Sequence, residues 1–266
     1  MERFTHVGRL IDPRNPSNLF ALAVSGAAGA AGLVLGGSLG AGISAGLATF
    51  LAWALGRELD PDRPWTAGAA AVATGAVSLA IPAEAGTLAV LLVAARVTLR
   101  PTGLPPTVLD LVGLTVVAGF FARSPAGWSA GMALAFALAR DTTLPPPAER
   151  TQLGFAAAAA VLVTAVATLT DALGGPWQAP DAYEATIAAL GLIAGITLPR
   201  ETPRSRCDAT PAIMSDERLQ WARWTVLGAL VLAGVVGGGP ALGATAGGWL
   251  ALTSTGLGAR VRRSET

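Results

Sequence analysis

Residues 19–56 read LFALAVSGAAGAAGLVLGGSLGAGISAGLATFLAWALG, 38 positions without a charged side chain. One crossing of a hydrocarbon core takes about 20 apolar residues, so this run is long enough to cross and return. The place to turn is written in it: Gly36-Gly37-Ser38-Leu39-Gly40 breaks helical propagation through the backbone entropy of glycine. Residues 224–259 repeat the plan over 36 uncharged positions, with Gly237-Gly238-Gly239-Pro240 at the turn. Between them, apolar stretches 65–81 and 86–99 flank Pro82-Ala83-Glu84-Ala85. Stretches 107–122 and 126–139 flank Arg123-Ser124-Pro125, and stretches 152–170 and 183–198 flank the connection 171–182.

The expected fold is therefore all-α: a polytopic integral membrane bundle of about ten short Ala/Gly-rich transmembrane helices, paired as repeated helical hairpins. Several stretches hold only about 14 residues, near 21 Å of helix against a core of about 30 Å. The expectation is accordingly eight to ten spans, always an even number. Along the chain this gives a cytoplasmic segment 1–18, a bundle of four hairpins over 19–198, a cytoplasmic linker 199–223, a C-terminal hairpin over 224–259 and a tail 260–266. Phe4, Val7, Leu10 and Ile11, interleaved with Arg3 and Arg9, have the spacing of a short interfacial helix.

Composition agrees. Of 266 residues, 52% are hydrophobic and 33 are glycine, whereas 13% are charged and the net charge is +1. That balance excludes a basic nucleic-acid binder. Cys207 and His6 are each single in the sequence, which excludes a disulfide framework, a thiolate metal cluster and a His-rich zinc site within one chain. Nothing in the sequence calls for a cofactor: GxxxxGK[ST], HExxH and paired acidic repeats for prenyl diphosphates are missing.

The arginines orient the hairpins. With the N-terminus cytoplasmic, 17 of the 18 arginines fall on the cytoplasmic side and Arg123 alone falls outside. This is the asymmetry of the positive-inside rule, and it puts both termini in the cytoplasm of a multi-pass cell-membrane protein. The outer turns carry Glu84, Asp171, Asp181 and Glu184. Trp53, Trp65, Trp221 and Trp224 flank the basic loops and Trp128 and Trp177 the outer turns, as interfacial belts.

Four hairpin exits share leucine, proline and arginine: Arg57 to Pro61, Arg96 to Pro101, Arg140 to Pro145 and Thr197 to Arg200. Each reads as a stop signal, with proline ending the helix and arginine anchored among headgroups. Small residues at four-residue spacing, such as Gly26 and Ala30 with Gly29 and Leu33 beside them, then Gly42 and Gly46, mark faces where helices of the bundle or of an oligomer approach closely.

Ionisable groups at membrane depth are functional candidates. Asp110 stands about one turn inside a stretch, so it could take a proton or cation while Arg96 and Arg100 hold an anionic group. It could equally cap its own helix. Asp171 is the deepest outer acid and could draw cations to a vestibule closed by residues 174–180. Cys207 has basic neighbours but no catalytic partner. These residues point first to a small-solute or ion carrier. A scaffold or assembly subunit docking partner helices is the second expectation, and an enzyme acting on a lipid-linked substrate through the cytoplasmic arginines the third.

Overall fold

The computed structural model describes residues 5–9, 11, 12 and 14–264, with side chains through Val261. Among them the chain is all helical: α1 Pro16–Gly36, α2 Leu39–Leu59, α3 Pro64–Ser78, α4 Ala85–Leu99, α5 Val108–Phe121, α6 Pro125–Asp141, α7 Thr151–Leu169, α8 Ala182–Thr197, α9 Asp216–Ala244 and α10 Ala246–Ser264. Helix starts follow the sequence closely. Ser38 and Ser124 cap α2 and α6 by accepting from the N–H three residues on, and Pro16, Pro64 and Pro125 sit in first turns, where no N–H is missed.

The helices run between two ends. At one, Ser44 Oγ donates to the Ala83 carbonyl, Ser124 Oγ to Glu84, the Glu84 N–H to the Ala244 carbonyl and the Gly239 N–H to the Gln178 carbonyl, so the turns between α1/α2, α3/α4, α5/α6, α7/α8 and α9/α10 meet there. At the other, ion pairs join the ends of α2 and α4, of α4 and α6 and of α6 and α9 to one another, and Arg63 joins the α2–α3 connection to Glu201 of the α8–α9 connection. Element order puts the described arginines other than Arg123 at this second, basic end.

α4 is the hub. It has no exposed residue and is walled by α2, α6 and α9, each the middle member of a consecutive triad: α1–α3, α5–α7 and α8–α10. The expected hairpin packing holds for α1 and α2, but α3 and α4 do not pack together, nor do α7 and α8. α3 lies on α1, α2 and α10, and α8 on α9 and α10. Apolar helices find their partners by shape rather than by chain order.

In α1 and α2 that shape is glycine. A Cβ on Gly42 would stand 2.8 Å from the Gly29 carbonyl oxygen, and one on Gly29 would stand 3.2 Å from that of Gly42. Gly46 meets the same crossing, whereas Gly26 faces open space.

The glycine cluster breaks the helix where the sequence places the break: at Gly238 the backbone takes the non-helical values φ 62 and ψ −147, so α9 comprises a long first part and a short second part that ends at Ala244. The freed Gly239 N–H is satisfied by the Gln178 carbonyl, Pro240 lies in the first turn of the short part, and the chain enters α10 after Thr245. α9 also begins eight residues early, converting 216–223 of the expected linker to helix. The described part of the N-terminal segment, residues 5–9, 11 and 12, is not helical; Phe4 and Leu10 lie outside the described residues.

The surface is apolar where a water-soluble protein is polar. Leu19, Val34 and Leu35 of α1, Val108, Leu109 and Val116 of α5, Val161 and Leu169 of α7 and Ile196 of α8 are exposed, while the core positions of the same helices are mostly alanine and glycine. Contiguous exposed apolar area of this kind needs a non-aqueous neighbour. α1, α2, α7 and α9 are long and apolar enough to cross a membrane, which marks the chain as membrane-associated.

Candidate functional site

Phe50, Trp53, Ala54, Arg57 and Glu58 follow one another at the i, i+3, i+4, i+7, i+8 spacing of a single face of α2. At the basic end that face meets Leu92 and Arg96 of α4, Asn15 and Asn18 at the start of α1, Arg9, Ile11 and Asp12 of the N-terminal segment, and Asp208 from the α8–α9 connection. Together they enclose a cavity of about 330 Å³. From Glu58 to Phe50 it follows α2 for about 12 Å at 1.5 Å per residue. Its mouth is charged and its depth is aromatic and aliphatic.

Glu58 is 1% exposed and accepts from Arg96 Nε at 2.9 Å and from Arg9 Nη1 at 3.4 Å. Arg9 also clasps Asp208 through Nε at 2.7 Å and Nη2 at 2.8 Å. Burial alone would lower the Arg9 pKa, but Glu58 and Asp208 hold it above the ordinary arginine value. Asp12 is turned to the α1 entry, where its carboxylate accepts from the Arg14 N–H. Among the described residues, Arg57 has neither hydrogen bond nor ion pair, and Arg96 commits only Nε. Trp53 is 7% exposed, and its indole N–H is buried without an acceptor.

A second cluster at the same end is closed. The Asp141 carboxylate accepts from Arg100 Nε and Nη2, both at 2.8 Å, from Arg218 Nη1 at 2.6 Å and from Gln152 Nε2 at 3.0 Å. Arg100 places its remaining terminal nitrogen on the Pro146 carbonyl. Arg218 also donates to the carbonyls of Thr98, Leu144, Pro145 and Pro146. Both guanidiniums and the carboxylate are almost fully buried, and the cluster ties the ends of α4, α6, α7 and α9 into one block.

The sequence candidates are thus distributed rather than assembled. Arg96 faces the cavity; Arg100 is locked one turn away in the closed cluster. Asp110 is a cap: it forms a capping box with Thr107 and accepts from the Thr5 hydroxyl and the His6 N–H, while Thr102 Oγ1 donates to the His6 carbonyl at 2.8 Å. It therefore straps residues 5–9 across the basic end. Asp171 is exposed at the opposite end, in the left-handed region at φ 52. There Glu84 accepts from Thr87 and Ser124, and Asp181 and Glu184 form the capping box of α8. No group of three or more His, Cys, Asp or Glu that could hold a metal occurs among the described residues. Burial raises the Cys207 thiol pKa, away from reactivity.

Sequence reasoning missed Arg57, Glu58 and Arg9 as site residues, and placed Trp53 in an interfacial belt although it is buried against the cavity. The available signal was the helical spacing from Phe50 to Glu58, with two adjacent charges closing an otherwise apolar face. No protein-family model, curated protein or solved structure matches the chain.

Proposed function

We propose that this chain is a multi-pass cell-membrane protein whose ten helices all cross the bilayer, with both termini and the basic end in the cytoplasm, and that it is a carrier for a small solute or ion. The short helices α3, α4, α5 and α8 cross where the bilayer thins around them and the arginines snorkel. The observation that carries the carrier reading is the cavity between α2 and α4. It opens among charges at the basic end, runs about two turns inward, and keeps one guanidinium uncommitted beside an apolar floor. A site reached from one side and closed on the other by packed helices is one half of alternating access.

Uptake into proteoliposomes tests it, with benzoate, diphenyl phosphate and inorganic phosphate as probe solutes. Saturable uptake of at least one, lost in Arg57→Gln, is the expected result. Uptake no faster than in protein-free liposomes for all three contradicts it.

A scaffold role draws on one observation of its own. The outward face of α7 forms a shallow apolar groove of Ala160, Val161, Thr164, Ala165 and Thr168, small side chains of the kind that admit a partner helix. Disulfide cross-linking of Ala165→Cys between copies, in a Cys207→Ser background, reads whether a second chain lies there.

A further inference from the structure

We infer that the α2/α4 cavity selects an amphiphilic monoanion: a singly charged oxyanion head, phosphodiester or carboxylate, on an apolar body. The inference rests on the reading of this cavity as the solute site and names what that site takes.

The charge follows from the partners. The charged lining residues balance, Arg9, Arg57 and Arg96 against Asp12, Glu58 and Asp208, but Arg9 and Arg96 are tied up by Asp208 and Glu58 while Arg57 commits no hydrogen bond or ion pair among the described residues. Arg57 feels the like charge of Arg9 and the attraction of Glu58, Asp208 and Asp60, but hydrogen-bonds to none of these acids. One uncommitted guanidinium in a half-buried site of otherwise balanced charge pairs with one negative charge; a dianion would bring a second, unpaired negative charge into it.

The head follows from the donors. Arg57 offers its whole planar fork and Arg96 both terminal nitrogens, a set suited to two oxygens on one centre. The body follows from the depth, where Phe50, Trp53 and Leu92 offer apolar surface and no charge. A fully hydrated inorganic ion would leave these groups unused. The head can arrive on a soluble molecule or on a lipid, since the mouth lies where headgroups would be.

Binding to the purified full-length chain in nanodiscs tests this without any flux, so the carrier reading and the ligand class can fail separately. The probes are diphenyl phosphate, phenyl phosphate and inorganic phosphate at pH 8, read by quenching of tryptophan emission and by the rise in melting temperature. Diphenyl phosphate is expected to bind at least about tenfold more tightly than the other two. Arg57→Gln should weaken it by a further tenfold or more, while the unliganded melting temperature stays near the wild-type value because Arg57 makes no hydrogen bond or ion pair among the described residues. Trp53→Phe should remove most of the quenching. If phosphatidylglycerol in the nanodisc lowers diphenyl phosphate affinity relative to phosphatidylcholine, the source is a lipid; if it does not, the source is soluble. Tighter binding of phenyl phosphate or inorganic phosphate overturns the inference, as does equal binding by Arg57→Gln or no binding of any probe.

Discussion

Arg57 and Glu58 are neighbours in sequence and line one cavity, yet Glu58 is held by two guanidiniums while Arg57 makes no hydrogen bond or ion pair among the described residues. The asymmetry separates a residue that maintains the site from one left open to a ligand. Glu58→Gln should release Arg9 and Arg96 together and lower stability, since breaking a buried pair leaves uncompensated charge worth about 3–5 kcal/mol. Arg57→Gln should cost nothing measurable. Thermal unfolding of the two variants in detergent checks the contrast, and a larger loss for Arg57→Gln would contradict it.

Asp141 is the keystone of the closed cluster. Asp141→Ala leaves two buried arginines facing each other and should destabilise the chain by about 3–5 kcal/mol, whereas Gln152→Ala removes one peripheral donor and should cost about 1 kcal/mol. Denaturation midpoints of both variants measure this.

Gly42 and Gly26 form a matched pair. Gly42→Ala drives a methyl to 2.8 Å from the Gly29 carbonyl oxygen and should cost about 1–3 kcal/mol. Gly26→Ala meets nothing within 4 Å and should stabilise α1 by about 0.5–1 kcal/mol. Equal effects on melting temperature would mean that α1 does not cross α2 at Gly42.

Asp62, in the α2–α3 connection, carries a pH signature. Partial burial raises its pKa, but the N–H groups of Arg204 and Ser205 and the Ser205 hydroxyl outweigh this and hold it below the ordinary 3.8. A depressed carboxyl stabilises the fold above its unfolded pKa and loses that contribution as pH falls through the folded value. Stability should therefore decline below about pH 4 in the wild type, and less steeply in Asp62→Asn. Melting temperatures between pH 6 and pH 3 test the sign.

Asp110→Ala should remove the α5 cap, at about 1–2 kcal/mol, and free the strap formed by residues 5–9. Trypsin should then cut after Arg9 faster than in the wild type. An unchanged rate would show that Asp110 does not hold the strap.

The sequence carried the helices better than their neighbours. Gly36 to Ser38 turns α1 into α2 as its local chemistry demands, because no distant group competes for that backbone. Gly237 to Pro240 breaks the helix by the same reasoning, but the Gln178 carbonyl that meets the Gly239 N–H and the short helical piece that follows Pro240 depend on distant packing and left no local sign. Arg96 and Arg100 are one turn apart on α4, but one meets Glu58 of α2 and the other Asp141 of α6. No local pattern separates them. The pairing of α4 with α2, α6 and α9 was equally hidden, because uniformly apolar helices carry no stripe to say which face meets which. Asp110 was legible as a cap from Thr107 three residues before it, though not as the latch for Thr5 and His6.

Everything about the cavity's access depends on the two ends of the bundle facing opposite sides of a bilayer. Single cysteines at Ser38, Ala179, Glu149 and Arg204, in a Cys207→Ser background, can be labelled in intact cells with a membrane-impermeant maleimide. Positions 38 and 179 should react from outside, and positions 149 and 204 only after permeabilisation. Reaction of 38 and 204 from the same compartment would contradict the account.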